Sequence, residues 1–291
     1  MAIPTTPSPG RRLRDAWERR PLQVPGVFCA LAARMAERLG FQAVYLSGAA
    51  LSASLALPDV GLVTQTEFAD FARTLTRATT LPVLSDADTG FGEALNVERT
   101  VQLFEEAGLA GLHLEDQVMP KRCGHLSGKA LVEPPAMAAK LRAAVRARHD
   151  ADFIIIARTD ARGVHGFDDA VERAKRYLDA GADIIFPEAL ESEAEFAAFA
   201  KAVPAPLLAN MTEFGKSPNL DYAALAAMGY RMVLYPVTTF RAALKATEEV
   251  LAGLLKDGHQ RGSLERMLTR QQLYDLLDYR GYEERDRTYF Q

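Results

Sequence analysis

The stretch ERLGFQAVYLSG, residues 37–48, is one of four copies of the same pattern along this chain. In each copy a helix-like segment ends at a glycine, and a short apolar run follows. The other copies are EEAGLAGLHLED at 105–116, LDAGADIIFPEA at 178–189 and AAMGYRMVLYPV at 226–237. Glycine adopts the left-handed conformation that ends a helix at little steric cost. Each copy therefore predicts a helix followed by a strand that is buried on both faces.

Four further strand-like runs lie between these copies, and helical patterns fill the connections. The runs are VPGVFCA at 24–30, LPVLSDAD at 81–88, DFIIIARTD at 152–160 and APLLANMT at 205–212. The helical patterns span 31–39, 66–79, 96–107, 134–148, 168–180, 192–202, 222–228 and 239–255. Eight alternating units predict an α/β fold, a closed (β/α)8 barrel of the TIM type. A doubly wound open sheet is the alternative, but none of the runs is amphipathic enough for an edge strand.

We expect one barrel domain over 1–291, with a helical extension at 258–291. Residues 262–280 predict one helix that the barrel does not need. Its apolar stripe has helical spacing and comprises Leu264, Met267, Leu268, Leu273, Leu276 and Leu277. The stripe could pack against another subunit or back on its own barrel, and the sequence leaves both possibilities open.

Composition is ordinary for a globular protein, with 48% hydrophobic and 25% charged residues. The formal net charge of -4 favours neither nucleic acid nor a membrane as partner. No apolar run approaches the ~18 residues that a membrane span needs. The start, MAIPTTPSPG, lacks the apolar region of a signal peptide, and the basic segment 11–20 predicts an exposed first helix. Two distant cysteines predict no disulfide framework and a cytoplasmic location.

Polar clusters stand at the ends of six predicted strands. They are Ser47-Gly48, Asp86 with Asp88, Glu115-Asp116, Arg158 with Asp160, Pro187-Glu188, and Asn210 with Thr212. In a barrel of parallel strands these ends converge on the face where active sites lie. Six such clusters predict an active site rather than ordinary solvated loops.

The segment SDADTGFG at 85–92 predicts a divalent-cation site. Asp86 and Asp88 are two residues apart, so in a regular strand they share one face. Two such carboxylates repel each other unless a cation or a proton lies between them. Glu115 can add a ligand directly or through water, and Asp116 is a further candidate. An oxygen-only ligand set favours Mg²⁺, or Mn²⁺, over Zn²⁺.

The segment KRCGH at 121–125 predicts a reactive thiol on a mobile connection. Basic neighbours favour the thiolate of Cys123 and predict a lowered pKa. The residues alone leave open whether Cys123 is a nucleophile or a general acid or base. A connection that contains Pro and Gly suits a lid over a substrate. Cys29 lies in an apolar run, which indicates that its small side chain is buried in a strand.

Further cations predict a small polycarboxylate as substrate, because arginine and lysine clamp carboxylates. Arg158 lies at the end of a predicted strand, Lys121 in the connection that carries Cys123, Arg241 after the eighth strand, and Arg270 in the terminal helix. The chain has neither a GxxxxGK[ST] phosphate loop nor a dinucleotide-binding glycine pattern.

Taken together, these motifs resemble the isocitrate lyase/phosphoenolpyruvate mutase superfamily over about residues 10–285. The matching segments are YLSG at 45–48, LPDVGL at 57–62, DADTGFG at 86–92, GLHLEDQ at 111–117, KRCGH at 121–125, ARTDA at 157–161, FPEA at 186–189 and NMTEFG at 210–215. KRCGH is the specific part, because it resembles the catalytic loop of the lyase branch. One departure is Ala49, where many relatives have glycine. A non-catalytic binding protein is the alternative of a different class, and the retained motifs argue against it.

The resemblance implies a magnesium-dependent carbon–carbon lyase that cleaves 2-methylisocitrate to pyruvate and succinate. This reaction belongs to the 2-methylcitrate cycle of propionate catabolism. Phe186, Leu234 and Pro236 match the small pocket around the extra methyl group. Isocitrate, 2,3-dimethylmalate and oxaloacetate remain alternatives, because one methyl is worth only ~1–3 kcal/mol of discrimination. The resemblance also implies a homotetramer.

The resemblance implies a retro-aldol mechanism with specific residue roles. Asp86 and Asp88, with Glu115 nearby, hold the metal that stabilises the developing oxyanion. Cys123 protonates the succinate carbon as general acid, between Lys121 and His125 in the catalytic loop. Tyr45 is our candidate for the base. The implied substrate-binding positions are Ser47, Gly48, Ala49, Gly124, Arg158, Glu188, Asn210, Thr212, Arg241 and Arg270.

Overall fold

In the computed structural model, which describes residues 7–290, eight parallel strands form a ring. The strands are β1 (Leu22–Pro25), β2 (Val44–Leu46), β3 (Val83–Asp86), β4 (Gly111–Glu115), β5 (Ile154–Thr159), β6 (Ile184–Pro187), β7 (Leu208–Asn210) and β8 (Met232–Tyr235). They pair in the orders β1-β8-β7 and β2-β3-β4-β5-β6. Parallel bridges from Gly26 to Tyr45 and from Ile185 to Leu207 join these two sheets. The ring is therefore closed, and the predicted (β/α)8 barrel is confirmed.

Apart from α3, the helices that connect the strands lie close to the segments that the sequence predicts. They are α2 (Ala30–Arg38), α3 (Gly48–Ser54), α4 (Gln65–Thr76), α5 (Ala94–Glu106), α6 (Pro134–Ala147), α7 (Phe167–Asp179), α8 (Glu193–Ala202), α9 (Tyr222–Ala227) and α10 (Thr238–Asp257). Helix α3 was not predicted. Ser47 caps it, because its Oγ accepts a hydrogen bond from the Ala50 amide at 3.3 Å. The cap holds the SGAA segment at the carboxyl end of β2.

Helix α1 (Pro9–Arg19) covers the amino-terminal end of the barrel. Leu13 and Trp17 are buried in one apolar cluster with inward-facing strand residues such as Leu84. On its other side, Arg14 binds Asp183 at 2.7 Å, just before β6. The prediction of a helix at this place is confirmed, but the prediction that it is exposed is wrong for one face, which is part of the core. Residues 1–6, in which the absence of a signal peptide was predicted, and Gln291 lie outside the described residues.

The first strand is earlier and shorter than predicted. The run at 24–30 predicted a strand that includes Cys29, but β1 ends at Pro25. Cys29 instead occupies the N-cap position of α2 and is half-buried. The prediction that Cys29 is a buried strand residue is therefore wrong, because the backbone leaves the ladder after the bridge at Gly26.

The C-terminal region is two short helices rather than the one predicted at 262–280. A 3-10 turn (Arg261–Arg266) precedes α11 (Arg270–Leu277) and α12 (Tyr279–Thr288). Asp278, with φ +54°, separates the two helices. Part of this region packs on its own barrel, since Arg34 Nη1 donates to the Leu276 carbonyl at 3.3 Å. The use of this C-terminal region in subunit contacts stays a prediction. Within residues 7–290 no helix is both long and apolar enough to cross a membrane.

Candidate active site

A cavity at the carboxyl ends of the strands collects most of the predicted site residues. Those that line it are Tyr45, Ser47, Ala49, Asp86, Lys121, Cys123, Gly124, His125, Arg158, Phe186, Glu188, Asn210, Thr212, Leu234, Pro236 and Arg241. Gly48, Asp88 and Glu115 stand directly behind this lining. Arg270 is the exception, because it begins α11 and is not among the cavity's lining residues. Asp116 also faces elsewhere, towards Thr159 and Tyr177.

Asp86 and Asp88 are brought together by a tight turn and not by strand alternation. Strand β3 ends at Asp86, and Asp88 has φ +45°, in the left-handed region. Asp86 Oδ1 accepts the Asp88 amide at 2.9 Å, and Oδ2 accepts the Gly48 amide at 3.2 Å. The expectation of a shared strand face was therefore wrong in its geometry. The two carboxylates are nevertheless neighbours in space.

The buried carboxylates suit a hard cation. Burial and the charge of Asp86 raise the pKa of Asp88 to about 7. Burial also raises the pKa of Glu115 well above its ordinary range, and its Oε1 has no hydrogen-bond partner among residues 7–290. In that same range no three His, Cys, Asp or Glu side chains are already grouped around a metal position. The residues therefore fit an ion such as Mg²⁺, which is usually held by one or two carboxylates plus water and substrate.

Lys121 ties the KRCGH loop to this carboxylate cluster. Its side chain is buried, and Nζ lies 2.8 Å from Asp88 Oδ1 and also contacts Asp59. Burial alone would lower the pKa of Lys121, but the surrounding carboxylates outweigh it and raise that pKa. The ammonium group therefore stays charged and neutralises part of the acidic cluster.

Cys123 holds its proton more firmly than the sequence predicts. Burial of the thiol, together with the nearby Glu188 carboxylate, raises its pKa above the ordinary value of 9.0. The prediction of a lowered pKa and a thiolate is therefore wrong. Basic residues flank Cys123 in sequence, but the Lys121 ammonium points to Asp59 and Asp88. A thiol that stays protonated at neutral pH suits a proton donor.

Glu188 joins three parts of the site. Its Oε1 lies 3.0 Å from His125 Nε2 and 3.9 Å from Arg158 Nη2, and Asn210 Nδ2 donates to Oε2 at 3.2 Å. Burial would raise the pKa of Glu188, but Arg158 and His125 outweigh it and lower that pKa. His125 Nδ1 also accepts the Lys216 amide at 3.0 Å. His125 thus connects the Cys123 loop with the connection after β7.

Tyr45 forms a buried pair with His113. Its hydroxyl lies 2.7 Å from His113 Nε2, and His113 Nε2 lies 3.6 Å from Asp86 Oδ1. Burial, with the charge of Asp86, raises the pKa of Tyr45 well above 10.0. Burial lowers the pKa of His113 to about 4, so the ring is neutral at neutral pH. Tyr45 is therefore a phenol, and it can act as a base only while it passes its own proton on.

The predicted specificity residues form one apolar wall of the cavity. Phe186 and Leu234 are buried at its inner side, and Pro236 lies beside them. The guanidinium of Arg158 lies 5.2 Å from the centre of the Phe186 ring, within cation–π distance. On the rim, Arg241 Nη1 donates to the Glu213 carbonyl at 2.7 Å. The cavity thus combines an apolar wall with cations on two sides.

A family model described as phosphoenolpyruvate phosphomutase matches residues 13–255. The chain belongs to this family. It is 57% identical over 279 residues to a 2-methylisocitrate lyase of Aeropyrum pernix, covering 96% of this chain and 90% of that relative. A solved 2,3-dimethylmalate lyase, a member of the phosphoenolpyruvate mutase/isocitrate lyase superfamily, superposes with a TM-score of 0.91 at 34% identity, covering 98% and 96% of the two chains. The resemblance stated from the motifs is confirmed.

Another solved member of this fold group is a phosphonopyruvate hydrolase in complex with oxalate and Mg²⁺. It superposes with a TM-score of 0.89 at 30% identity and covers 98% of this chain and 100% of its own. Relatives from Aeropyrum pernix, Bacillus subtilis and Escherichia coli, at 57%, 49% and 46% identity, are named 2-methylisocitrate lyase, which is a carbon–carbon lyase. The prediction that this phosphoenolpyruvate phosphomutase family member is an enzyme, and a carbon–carbon lyase, is confirmed.

Several residues of this family member's site were missed from the sequence. His113 could have been found, because it is two residues from Glu115 on β4 and so faces the same side. Asp59 and Gln117 could not, because their contacts depend on how the connections fold back. Gln117 pairs with both backbone groups of Arg122, at 2.9 and 2.8 Å.

Proposed function

We propose that the protein cleaves 2-methylisocitrate to pyruvate and succinate, with Mg²⁺ or Mn²⁺ as its metal. The observation that carries this proposal is that one cavity brings the half-buried thiol of Cys123 together with Arg158 and Asp86. A retro-aldol cleavage needs these three elements: a group that binds carboxylates, a group that stabilises an oxyanion, and a proton donor for the carbanion. The name of the Aeropyrum pernix relative supports the substrate.

Substrate carboxylates bind to the cationic and amide groups of the cavity. Arg158 is buried, and neighbouring carboxylates keep its guanidinium charged by raising its pKa further. Asn210 and Thr212 line the side beside Glu188, and Arg241 lies on the rim. Arginine holds a carboxylate through two parallel hydrogen bonds, which fixes orientation as well as position. We infer that this set orients the succinate half towards Cys123.

Asp86 and Asp88 hold the metal in this proposal, with Glu115 as a direct or water-mediated ligand. When bound, the ion supplies positive charge for the oxygen that becomes the ketone of pyruvate. The chain's own contribution is to hold the carboxylates in place, and a bound cation would favour the ionised forms of Asp88 and Glu115, whose pKa values burial raises. The Gly48 and Asp88 amides donate to Asp86 and hold its carboxylate on the cavity side. The metal identity is part of the proposal.

Two proton transfers complete the reaction. The substrate hydroxyl loses its proton, the carbon–carbon bond breaks, and the electron pair of that bond goes to the succinate carbon. We assign the first proton to Tyr45, which takes it as its own proton passes to His113 Nε2, 2.7 Å away. Because burial lowers the pKa of His113 to about 4, the ring then releases that proton to water. The Cys123 thiol then gives its proton to the succinate carbon and is reprotonated by water after release. Each transfer of this kind contributes roughly 10²–10⁴-fold to a rate.

The apolar wall selects among related acids. Phe186, Leu234 and Pro236 leave an apolar place for the methyl group that distinguishes 2-methylisocitrate from isocitrate. Such a wall favours the methyl-bearing acid by roughly 1–3 kcal/mol. The solved 2,3-dimethylmalate lyase of the same fold makes that acid the next candidate.

A substrate panel tests the proposal. The purified protein with Mg²⁺ is given 2-methylisocitrate, isocitrate, 2,3-dimethylmalate and oxaloacetate, and release of the keto-acid product is followed for each. We expect the highest kcat/KM for 2-methylisocitrate, about tenfold or more above isocitrate. No pyruvate from 2-methylisocitrate, or a higher kcat/KM for one of the other acids, would contradict the proposal.

We also propose that the enzyme is a homotetramer in the cytoplasm and acts in propionate catabolism. Exposed leucines on α10 support subunit contacts, since Leu244, Leu251 and Leu255 are 52%, 61% and 91% exposed. Isolated exposed leucines are common, but several on one helix mark a contact surface. Light scattering on a sizing column should give four times the chain mass. A monomer mass at micromolar concentration would contradict the assembly.

A further inference from the structure

The loop that carries Cys123 has a base anchored on the barrel and a tip that enters the cavity. At the base, the Val118 amide donates to the Ala130 carbonyl at 2.8 Å, and Gln117 and Leu131 form an antiparallel bridge. Below them the Val132 amide donates to the Asp116 carbonyl at 2.9 Å. The residues between 118 and 130 therefore leave the barrel and return to the same place, with the thiol near the far end.

Lys129 reaches from this base to the tip. It lies one residue inside the base, and its side chain is only 2% exposed. Its Nζ donates to the carbonyl of Gly124, the residue that follows Cys123. The same Nζ donates to Asp160 Oδ1 at 2.7 Å. One buried ammonium group thus joins the tip of the loop to the end of β5.

Asp160 is the residue that orients Arg158. Its Oδ2 accepts from Arg158 Nε at 3.0 Å, and its Oδ1 accepts from Arg158 Nη2 at 3.2 Å. The Asp160 amide donates to Asp116 Oδ1 at 2.9 Å, which anchors Asp160 to the barrel. The Lys129 contact therefore links the loop tip to the carboxylate partner of a substrate-binding arginine.

Cys123 is held on both sides through its neighbours' backbones. Gln117 binds the amide and the carbonyl of Arg122, and Lys129 binds the carbonyl of Gly124. Gly124 is packed so closely that a Cβ on it would overlap Glu188 and Arg158. The tip therefore packs directly against Glu188 and Arg158. Unlike Gln117, Lys129 also contacts Asp160, the carboxylate partner of Arg158.

We propose that Lys129 is a positioning residue that holds the Cys123 loop closed and couples its closure to Arg158 through Asp160. The proposal rests on the proposed function for its effect on turnover, but its effect on the thiol does not. When the loop opens, Lys129 keeps Asp160 and loses only the Gly124 carbonyl. Loss of one charge-assisted hydrogen bond of this kind shifts an equilibrium by about tenfold to 100-fold.

The test compares Lys129→Met with Lys129→Arg, and uses Lys245→Met as a control because Lys245 is exposed on α10. Iodoacetamide labels Cys123 and Cys29 in the same sample, and mass spectrometry of the peptides gives a rate for each thiol. Cys29 lies at the start of α2, so its rate reports general loosening. Steady-state kinetics on 2-methylisocitrate with Mg²⁺ give kcat and KM for the same variants.

In Lys129→Met we expect Cys123 to be labelled about tenfold faster or more, with the Cys29 rate unchanged. We expect kcat to fall by a similar factor and KM to change less. Lys129→Arg should restore both values in part, because arginine keeps the charge and can donate to both acceptors. Unchanged labelling of Cys123, or equal acceleration at both cysteines, would overturn the proposal. Labelling needs no turnover. A wild-type enzyme that is inactive on 2-methylisocitrate would therefore contradict the proposed function, but the labelling rates would still test the role of Lys129.

Discussion

Nζ of Lys121 lies 2.8 Å from Oδ1 of Asp88, so the loop that carries Cys123 rests directly on the proposed metal site. Asp59, in the connection after β2, is the second partner of the same ammonium group. In this position the loop therefore places a positive charge beside a cluster of buried carboxylates. We infer that the thiol and the metal site are assembled in the same movement.

Lys121→Met is expected to lower kcat by about 100-fold, because a misplaced loop costs about that much in rate. The methionine keeps most of the buried volume but removes the contacts to Asp59 and Asp88. Steady-state pyruvate release from 2-methylisocitrate measures the effect. Lys201→Met, on the exposed side of α8, serves as the matched control and should be unchanged. Near-normal kcat in Lys121→Met would argue against a shared closure.

Asp88→Asn is expected to raise the Mg²⁺ concentration for half-maximal activity by about tenfold or more, because an amide oxygen is a weaker ligand than a carboxylate. Titration of the metal-stripped enzyme with Mg²⁺ gives this value. Asp70→Asn on α4 is the control, since Asp70 is exposed and pairs with Arg73 on the surface. Activity that survives complete metal removal with EDTA would refute a metal-dependent reaction.

The pH profile follows from the pKa of Cys123. A general acid must hold its proton, so kcat is full below that pKa and is lost as the pH rises through it. Burial raises the pKa of Cys123 above 9.0. The midpoint of the alkaline loss of kcat should therefore lie above pH 9.0, in measurements on the saturated enzyme. A loss centred below pH 8 would mean that another group, or a thiolate, controls the reaction.

Much of the barrel and its site was readable from the sequence. The glycine that ends each helix and the apolar run that follows gave the order of the strands, and the polar strand ends identified one face. The roles of Lys121 and Cys123 were harder, because they depend on partners from other strands. Glu188, on the chain 65 residues after Cys123, helps to raise the thiol's pKa, whereas local sequence predicted the opposite.

Backbone geometry accounts for the other differences. Asp88 has φ +45°, which no periodicity rule anticipates, and this turn brings its carboxylate beside Asp86. Asp278, also in the left-handed region, breaks the single helix predicted at 262–280. The buried face of α1 could have been predicted, because Leu13, Ala16 and Trp17 have helical spacing. The arginines in the same segment instead led to the prediction of an exposed helix.

Trp17→Ala is expected to destabilise the fold by about 3 kcal/mol or more, because the removed ring leaves a cavity below the barrel. Trp17 is 5% exposed and packs with the inward-facing strand residues. The free energy of unfolding from urea denaturation measures the loss. Arg19→Ala, on the same helix and exposed, should change stability by less than about 0.5 kcal/mol. Similar values for both variants would contradict a structural role for α1.

Proton donation by Cys123 is tested most directly in the reverse direction. The enzyme is incubated with Mg²⁺, pyruvate and succinate in ²H₂O, and NMR follows the entry of deuterium into the succinate methylene groups. The wild-type enzyme should exchange these hydrogens, and Cys123→Ser should exchange them at least about 100-fold more slowly. Succinate and pyruvate should still bind to the variant, as their line broadening can show. Exchange by Cys123→Ser at the wild-type rate would contradict the assignment of Cys123 as the acid.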